Sequence, residues 1–193
     1  MKKNLMYALL ATFSCAAIVL LLGVFLTSDK TSDLINNHET FLIAHRGYSS
    51  RHVENSLKAF EAAGQSNFEG IECDIQVTKD GSIVISHDDN LKRLTGVDKV
   101  ISASTFEEIK AIPFLDDSTQ TTVSLTDYLS ICQKYQKTAI IEIKENVRVE
   151  DIKAIYETVK NSGLTSFQFI SFNIGHLISL RAIDNFVELQ YLT

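Results

Sequence analysis

Four short polar groups stand out because each ends or interrupts an apolar run: His45-Arg46-Gly47, Glu72-Cys73-Asp74, His87-Asp88 and Glu142-Ile143-Lys144. Glu72 and Asp74 are two apart, so on a strand both carboxylates share one face and Cys73 takes the other. Two neighbouring carboxylates are costly to bury unless a cation lies between them. Glu142 and Lys144 repeat the spacing with mixed signs. Together, Glu72, Asp74 and Glu142 make a hard, all-oxygen donor set that suits a divalent cation such as Mg²⁺ or Ca²⁺ better than Zn²⁺. Any one pair taken alone reads equally well as a charged strand end, with Lys144 neutralising Glu142. That reading weakens when such groups close several strands in succession. His45 and His87 flank the set and suggest a general acid and a general base. Arg46 adds a planar donor fork suited to a phosphate oxygen, and Gly47 permits a sharp turn beside it. His38, His52 and His176 read as ordinary polar residues.

Such groups need rigid elements beneath them, and the hydrophobic pattern supplies these. Phe41–Ala44 is a candidate buried strand. Asn55 reads as a helix cap, followed by Leu57, Phe60 and Ala63 at helical spacing, with Gly64 near the stop. Gly70–Thr78 and Ser82–Ser86 read as strands joined by a Lys79-Asp80-Gly81 turn. From Asp89 to Thr122 the pattern weakens, apart from a short helix near Thr105–Ala111, and this stretch resembles an insertion over a site. Beyond it, helix Ser124–Tyr135, strand Thr138–Ile143, helix Val149–Ser162, strand Phe167–Phe172, helix Ile174–Ile183 and strand Val187–Leu192 alternate. That alternation predicts an α/β fold, a parallel sheet with helices on its outer face.

The N-terminus is of another kind. Lys2 and Lys3 precede a stretch from Leu5 to Leu26 that carries no charged residue. A helix of about 20 residues crosses a ~30 Å hydrocarbon core, whereas a signal-peptide core runs only about 7–15 residues. Residues 1–28 are therefore expected to form an uncleaved transmembrane helix. Its lysines would stay cytoplasmic and the rest of the chain would face outward. A cleaved signal and a secreted protein are the alternative. Residues 29–40 read as a linker and residues 41–193 as the folded domain. The net charge of -6 and the lack of any basic run argue against nucleic acid as a partner. Cys15, Cys73 and Cys132 form no C-x-x-C pair, so neither a zinc knuckle nor a disulfide framework is expected.

The ordered set His45-Arg46-Gly47, Glu54-Asn55-Ser56, Glu72-x-Asp74, Thr78-Lys79-Asp80-Gly81, His87-Asp88 and Glu142-x-Lys144 closely resembles the glycerophosphodiester phosphodiesterases. The resemblance runs from about Phe41 to Thr193. It implies a TIM (β/α)₈ barrel with a small insertion after the strand-two hairpin. It also implies hydrolysis of a glycerophosphodiester substrate to glycerol 3-phosphate and an alcohol. On this resemblance Glu72, Asp74 and Glu142 hold a divalent metal, Ca²⁺ or Mg²⁺, and His45 and His87 are the catalytic pair. Arg46 and Lys144 bind the phosphate, with Glu54 in support. Two mild departures are Val53, where the family usually has proline, and Ser56, where it has threonine. About six strands are counted before Thr193, short of the eight that a barrel of about 250 residues needs, so an incomplete barrel is expected. Two other readings stay open: a phosphatidylinositol-type phospholipase sharing the barrel and the paired histidines, and a non-catalytic, membrane-tethered remnant. The Glu-x-Asp and Glu-x-Lys pairs speak against the former, and the intact polar set against the latter.

Overall fold

Apolar side chains alternate along the strands and recur every three to four residues along the helices, and burying both patterns against each other gives a sheet backed by helices. The computed structural model describes residues 40–193. The expected membrane segment, 1–28, and nearly all of the linker lie outside the described residues. Among those described, no helix is long and apolar enough to cross a membrane.

The strands are β1 (Ile43–Ala44), β2 (Gly70–Val77), β3 (Ile83–Ile85), β4 (Thr138–Ile143), β5 (Phe167–Ser171) and β6 (Glu188–Tyr191). They form one six-stranded sheet ordered β1-β2-β4-β5-β6, with β3 added to β2. The pairings along that path are parallel, and only β3 runs antiparallel, returning from β2 as a hairpin. The expected main layer of six strands is thus a parallel path plus a hairpin strand. β1 and β6 each pair on one side only among the described residues, so the sheet is open.

The helices are α1 (Leu57–Gly64), α2 (Lys92–Thr95), α3 (Phe106–Lys110), α4 (Leu125–Tyr135), α5 (Ile152–Lys160) and α6 (Ile174–Ile183). Ser56, not Asn55, caps α1: its side chain accepts from the Ala59 amide. Ser124 caps α4 in the same way, and Asn173 caps α6. The helix expected from Val149 starts as a 3-10 turn, Val149–Asp151, and becomes α-helical only at Ile152.

β2 is buried along almost its whole length. Ile71, Cys73 and Ile75 join one core with Phe60 of α1 and with Tyr128, Leu129 and Cys132 of α4, while the even-numbered residues take the opposite face. Phe60 and Tyr128 meet edge to face at 4.9 Å between ring centres, and the Tyr128 hydroxyl donates to the Ile71 carbonyl at 2.6 Å. Cys73 and Cys132 are buried free thiols. The segment Phe41–Ala44 departs from expectation. Only Ile43 and Ala44 pair with β2, and Phe41, Leu42 and Ile43 are 53%, 48% and 42% exposed. Among the described residues β1 is an edge strand paired with β2 alone, which leaves these apolar residues in solvent. The weakly patterned stretch after β3 is ordered around a small core of its own, in which Leu91, Ile101 and Ile109 pack on Val84.

Candidate active site

The carboxyl ends of the parallel strands carry the polar groups singled out in the sequence. Register explains their convergence. In the β2/β4 pairing Asp74 stands directly opposite Glu142, and Glu72 lies one same-face step behind Asp74. Glu72, Asp74 and Glu142 therefore each offer a carboxylate oxygen, all within 4.8 Å of one another, and all three residues are buried. Asp74 is 0% exposed. Withdrawal from water, with Asp74 and then Glu142 beside it, pushes the Glu72 carboxyl up to about 8. Its Oε1 is buried without a hydrogen-bond partner. A cluster of hard oxygens with one unsatisfied buried acceptor fits a divalent cation, which would neutralise charge that the side chains leave unmatched.

Two cations already lean on this cluster. Lys144 Nζ lies 2.7 Å from Glu142 Oε1 and 3.5 Å from Asp74 Oδ1. Arg46 Nε lies 3.2 Å from Asp74 Oδ2. The turn that delivers Arg46 is tight, with φ of 54° at Arg46 and 73° at Gly47. This left-handed backbone aims the Arg46 amide at Glu72 Oε2, 2.7 Å away. A Cβ on Gly47 would come within 2.8 Å of the Ala59 carbonyl carbon. Glycine is therefore required here both for its φ and for the close approach of α1.

His45 follows β1, with a 67% exposed side chain and its Nε2 3.9 Å from Glu72 Oε2. His87 follows β3, and its Nδ1 lies 2.8 Å from Asp88 Oδ1. Glu54 sits behind Arg46: its Oε1 accepts from Arg46 Nη1 at 3.2 Å and from Arg93 Nη2 at 2.7 Å. Burial works against ionisation of Glu54, but the Arg93 hydrogen bond and charge, with those of Arg46, hold its carboxyl below the usual range. A cleft of about 410 Å³ opens beside the cluster, lined by His87, Lys144, Gln76, Asn146 and Phe172 among others.

The structure thus brings Glu72, Asp74, Glu142, Arg46, Lys144, His45, His87 and Glu54 to one end of the sheet. Two participants escaped the sequence reading. Asn55, read as a helix cap, instead has φ of 55° and donates from Nδ2 to Asp74 Oδ2 at 2.8 Å. Its place in the Glu54-Asn55-Ser56 group was the available signal. Arg93 lies in the stretch where periodicity failed, and nothing local marked it. His176, read as an ordinary polar residue, is fully buried and satisfied. Its Nε2 lies 2.8 Å from the Val147 carbonyl and its Nδ1 3.2 Å from Ser171 Oγ.

A parallel α/β sheet bearing a buried carboxylate cluster, two histidines and two cations at its carboxyl end defines an α/β protein with a candidate divalent-cation site for an anionic ligand. The chain belongs to the glycerophosphoryl diester phosphodiesterase family, whose sequence profile matches residues 45–190. It is 30% identical over 164 residues to a glycerophosphodiester phosphodiesterase of Bacillus altitudinis, a match covering 80% of this chain and 66% of that one. Among solved structures it resembles an Oleispira antarctica phosphodiesterase in complex with the product sn-glycerol-3-phosphate (TM-score 0.73, 30% identity, covering 78% of this chain and 64% of that one). It also resembles the glycerophosphodiester phosphodiesterase of Thermotoga maritima (TM-score 0.67, 32% identity, covering 81% and 63%). The chain thus spans about two thirds of the length of the relatives that it matches.

Proposed function

We propose that this site hydrolyses glycerophosphodiesters to glycerol 3-phosphate and an alcohol, with Glu72, Asp74 and Glu142 holding a divalent cation, Ca²⁺ or Mg²⁺. The observation that carries the proposal is the buried, mutually close carboxylate set with its orphaned Glu72 oxygen, flanked by two histidines and two cations. The Oleispira structure that this chain resembles holds sn-glycerol-3-phosphate, which supports the substrate class. When bound, the cation supplies Lewis-acid polarisation of a phosphoryl oxygen.

The chain's own side chains do the remaining work. Arg46 and Lys144 take the non-bridging phosphate oxygens, Arg46 through its planar fork and Lys144 as a point charge. Glu54 holds Arg46 in place from behind. With Asp88 accepting at Nδ1, His87 keeps the lone pair on Nε2 free and turned away from its partner, the form that a proton acceptor needs. One histidine takes a proton from the attacking group, water or a substrate hydroxyl whose cyclic ester water then opens, and the other protonates the leaving alkoxide. Each transfer is worth about 10²–10⁴ in rate. The cleft beside His87 and Lys144 gives the leaving alcohol room.

The test is release of glycerol 3-phosphate from glycerophosphocholine by the 193-residue chain, with EDTA and then with added Ca²⁺ or Mg²⁺. Metal-dependent release is the expected result. No release from a folded sample would refute the proposal for this chain. The apolar stretch Leu5–Leu26, preceded by Lys2 and Lys3, supports a further element of the reading, a single-pass anchor with the domain outside the cytoplasm. Extraction of the protein from membranes by alkaline carbonate would rule the anchor out.

A further inference from the structure

We propose that Arg93 is a positioning residue, a two-ended clamp that sets His87 and Arg46 at once from the segment inserted after β3. The inference rests on the functional reading above, in which His87 moves a proton and Arg46 receives the phosphate. The geometry is a continuous chain of contacts. His87 Nδ1 lies 2.8 Å from Asp88 Oδ1. The other oxygen of that carboxylate, Oδ2, accepts from Arg93 Nε at 2.6 Å. A second nitrogen of the same guanidinium, Nη2, donates to Glu54 Oε1 at 2.7 Å. That Glu54 oxygen also accepts from Arg46 Nη1 at 3.2 Å, and Arg46 Nε stands 3.2 Å from Asp74 Oδ2.

Three features make this more than an incidental surface pair. First, each carboxylate bridges two partners, Asp88 with one oxygen on His87 and the other on Arg93, and Glu54 with its single Oε1 on both Arg46 and Arg93, so their orientation depends on Arg93 as well as on the site residue each one serves. Second, a planar guanidinium fixes the angle between its two acceptors, which a lysine ammonium does not. Third, Arg93 is held by an anchored element. Leu91, 2% exposed, packs into the small core with Ile101 and Ile109. Asn90 Oδ1 accepts from the Lys92 amide at 3.0 Å, and Gly96 closes α2 with φ of 74°. The Arg93 side chain is itself 47% exposed. Exposed ion pairs contribute little to folding, so its loss should be felt in the site and not in stability.

The test keeps the 193-residue chain whole, in detergent, and compares it with Arg93→Gln and Arg93→Lys. Nitrogen-15 spectra of the imidazoles, with His87 assigned through His87→Gln, read the Nδ1–H directly and do not depend on turnover. In the parent His87 should show a hydrogen-bonded, slowly exchanging Nδ1–H, and Arg93→Gln should lose it while the thermal midpoint stays near the parent value. Metal-dependent kcat should fall about 10–100-fold, the usual effect of removing a partner that orients an active-site group. Arg93→Lys should not restore it, because an ammonium cannot reproduce the fixed fork. Adding Arg93→Gln to Asp88→Asn should cost less than the two losses multiplied. An unchanged His87 Nδ1–H signal in Arg93→Gln would overturn the clamp. A parent without turnover would refute the functional reading alone, because the imidazole spectra still decide the positioning role.

Discussion

At the scale of the residue, Glu72 has the most unusual environment in the site. Its carboxyl has an ordinary value of 4.5, and burial beside Asp74 and Glu142 raises it to about 8. The metal-free folded chain therefore keeps a proton that the unfolded chain releases. The resulting stability is full below pH 4.5 and is lost as pH climbs towards 8. We expect the denaturation midpoint of the EDTA-treated protein to fall across that window, and Glu72→Gln to flatten the slope. An equal slope in the variant would assign the proton elsewhere. Because a ligating carboxylate must be ionised, cation affinity should also rise with pH up to about 8, with proton release on binding. Glu72→Ala should abolish metal-dependent turnover. His45→Ala should lower turnover and leave cation affinity nearly unchanged, since the imidazole stands 3.9 Å from the nearest Glu72 oxygen. Titration calorimetry checks that point, and a large loss of affinity would make His45 a ligand.

At the scale of the element, the loop from β1 into α1 does the positioning. Arg46, Gly47 and Asn55 all have positive φ, and this folds the loop back so that the Arg46 amide and the Asn55 amide group both reach β2 carboxylates. Gly47→Ala would force both a strained backbone and a collision with Ala59, and it should destabilise the fold by more than about 1 kcal/mol. It should also displace Arg46, raising KM for the substrate. Ser56→Ala is the control in the same loop. It removes the α1 cap at a cost of about 1 kcal/mol, but spares the turn, so KM should hold. Urea denaturation and steady-state kinetics separate the two variants.

At the scale of the whole molecule, one core ties the helices to the strand that carries the metal candidates. Phe60 of α1 and Tyr128 of α4 are both fully buried against β2, and Phe60→Ala should cost about 3–5 kcal/mol. A cation that binds only the folded chain stabilises it by mass action, by about 2.7 kcal/mol at a hundredfold excess over Kd. Saturating Ca²⁺ or Mg²⁺ should therefore raise the thermal midpoint, and EDTA should reverse the rise. A midpoint indifferent to both would count against the carboxylate cluster as a metal site.

Much of this architecture was legible in the chain itself. Strand β4 and helix α6 fall where periodicity put them, because period 2 and period 3.6 are local properties of the sequence. The two-residue spacing of Glu72 and Asp74 likewise determined that they share a face. What pairs with that face is not local. Only the β2/β4 register sets Glu142 opposite Asp74, and only packing of the inserted segment brings Arg93 to Asp88 and, 39 residues back in the chain, to Glu54. The exposure of Phe41–Ile43 was hidden for the same reason: an apolar run records a preference for burial, while the neighbours that could satisfy it are chosen by tertiary structure. Residue types determined which chemistry was available, and the long-range pairing of strands decided which groups meet to carry it out.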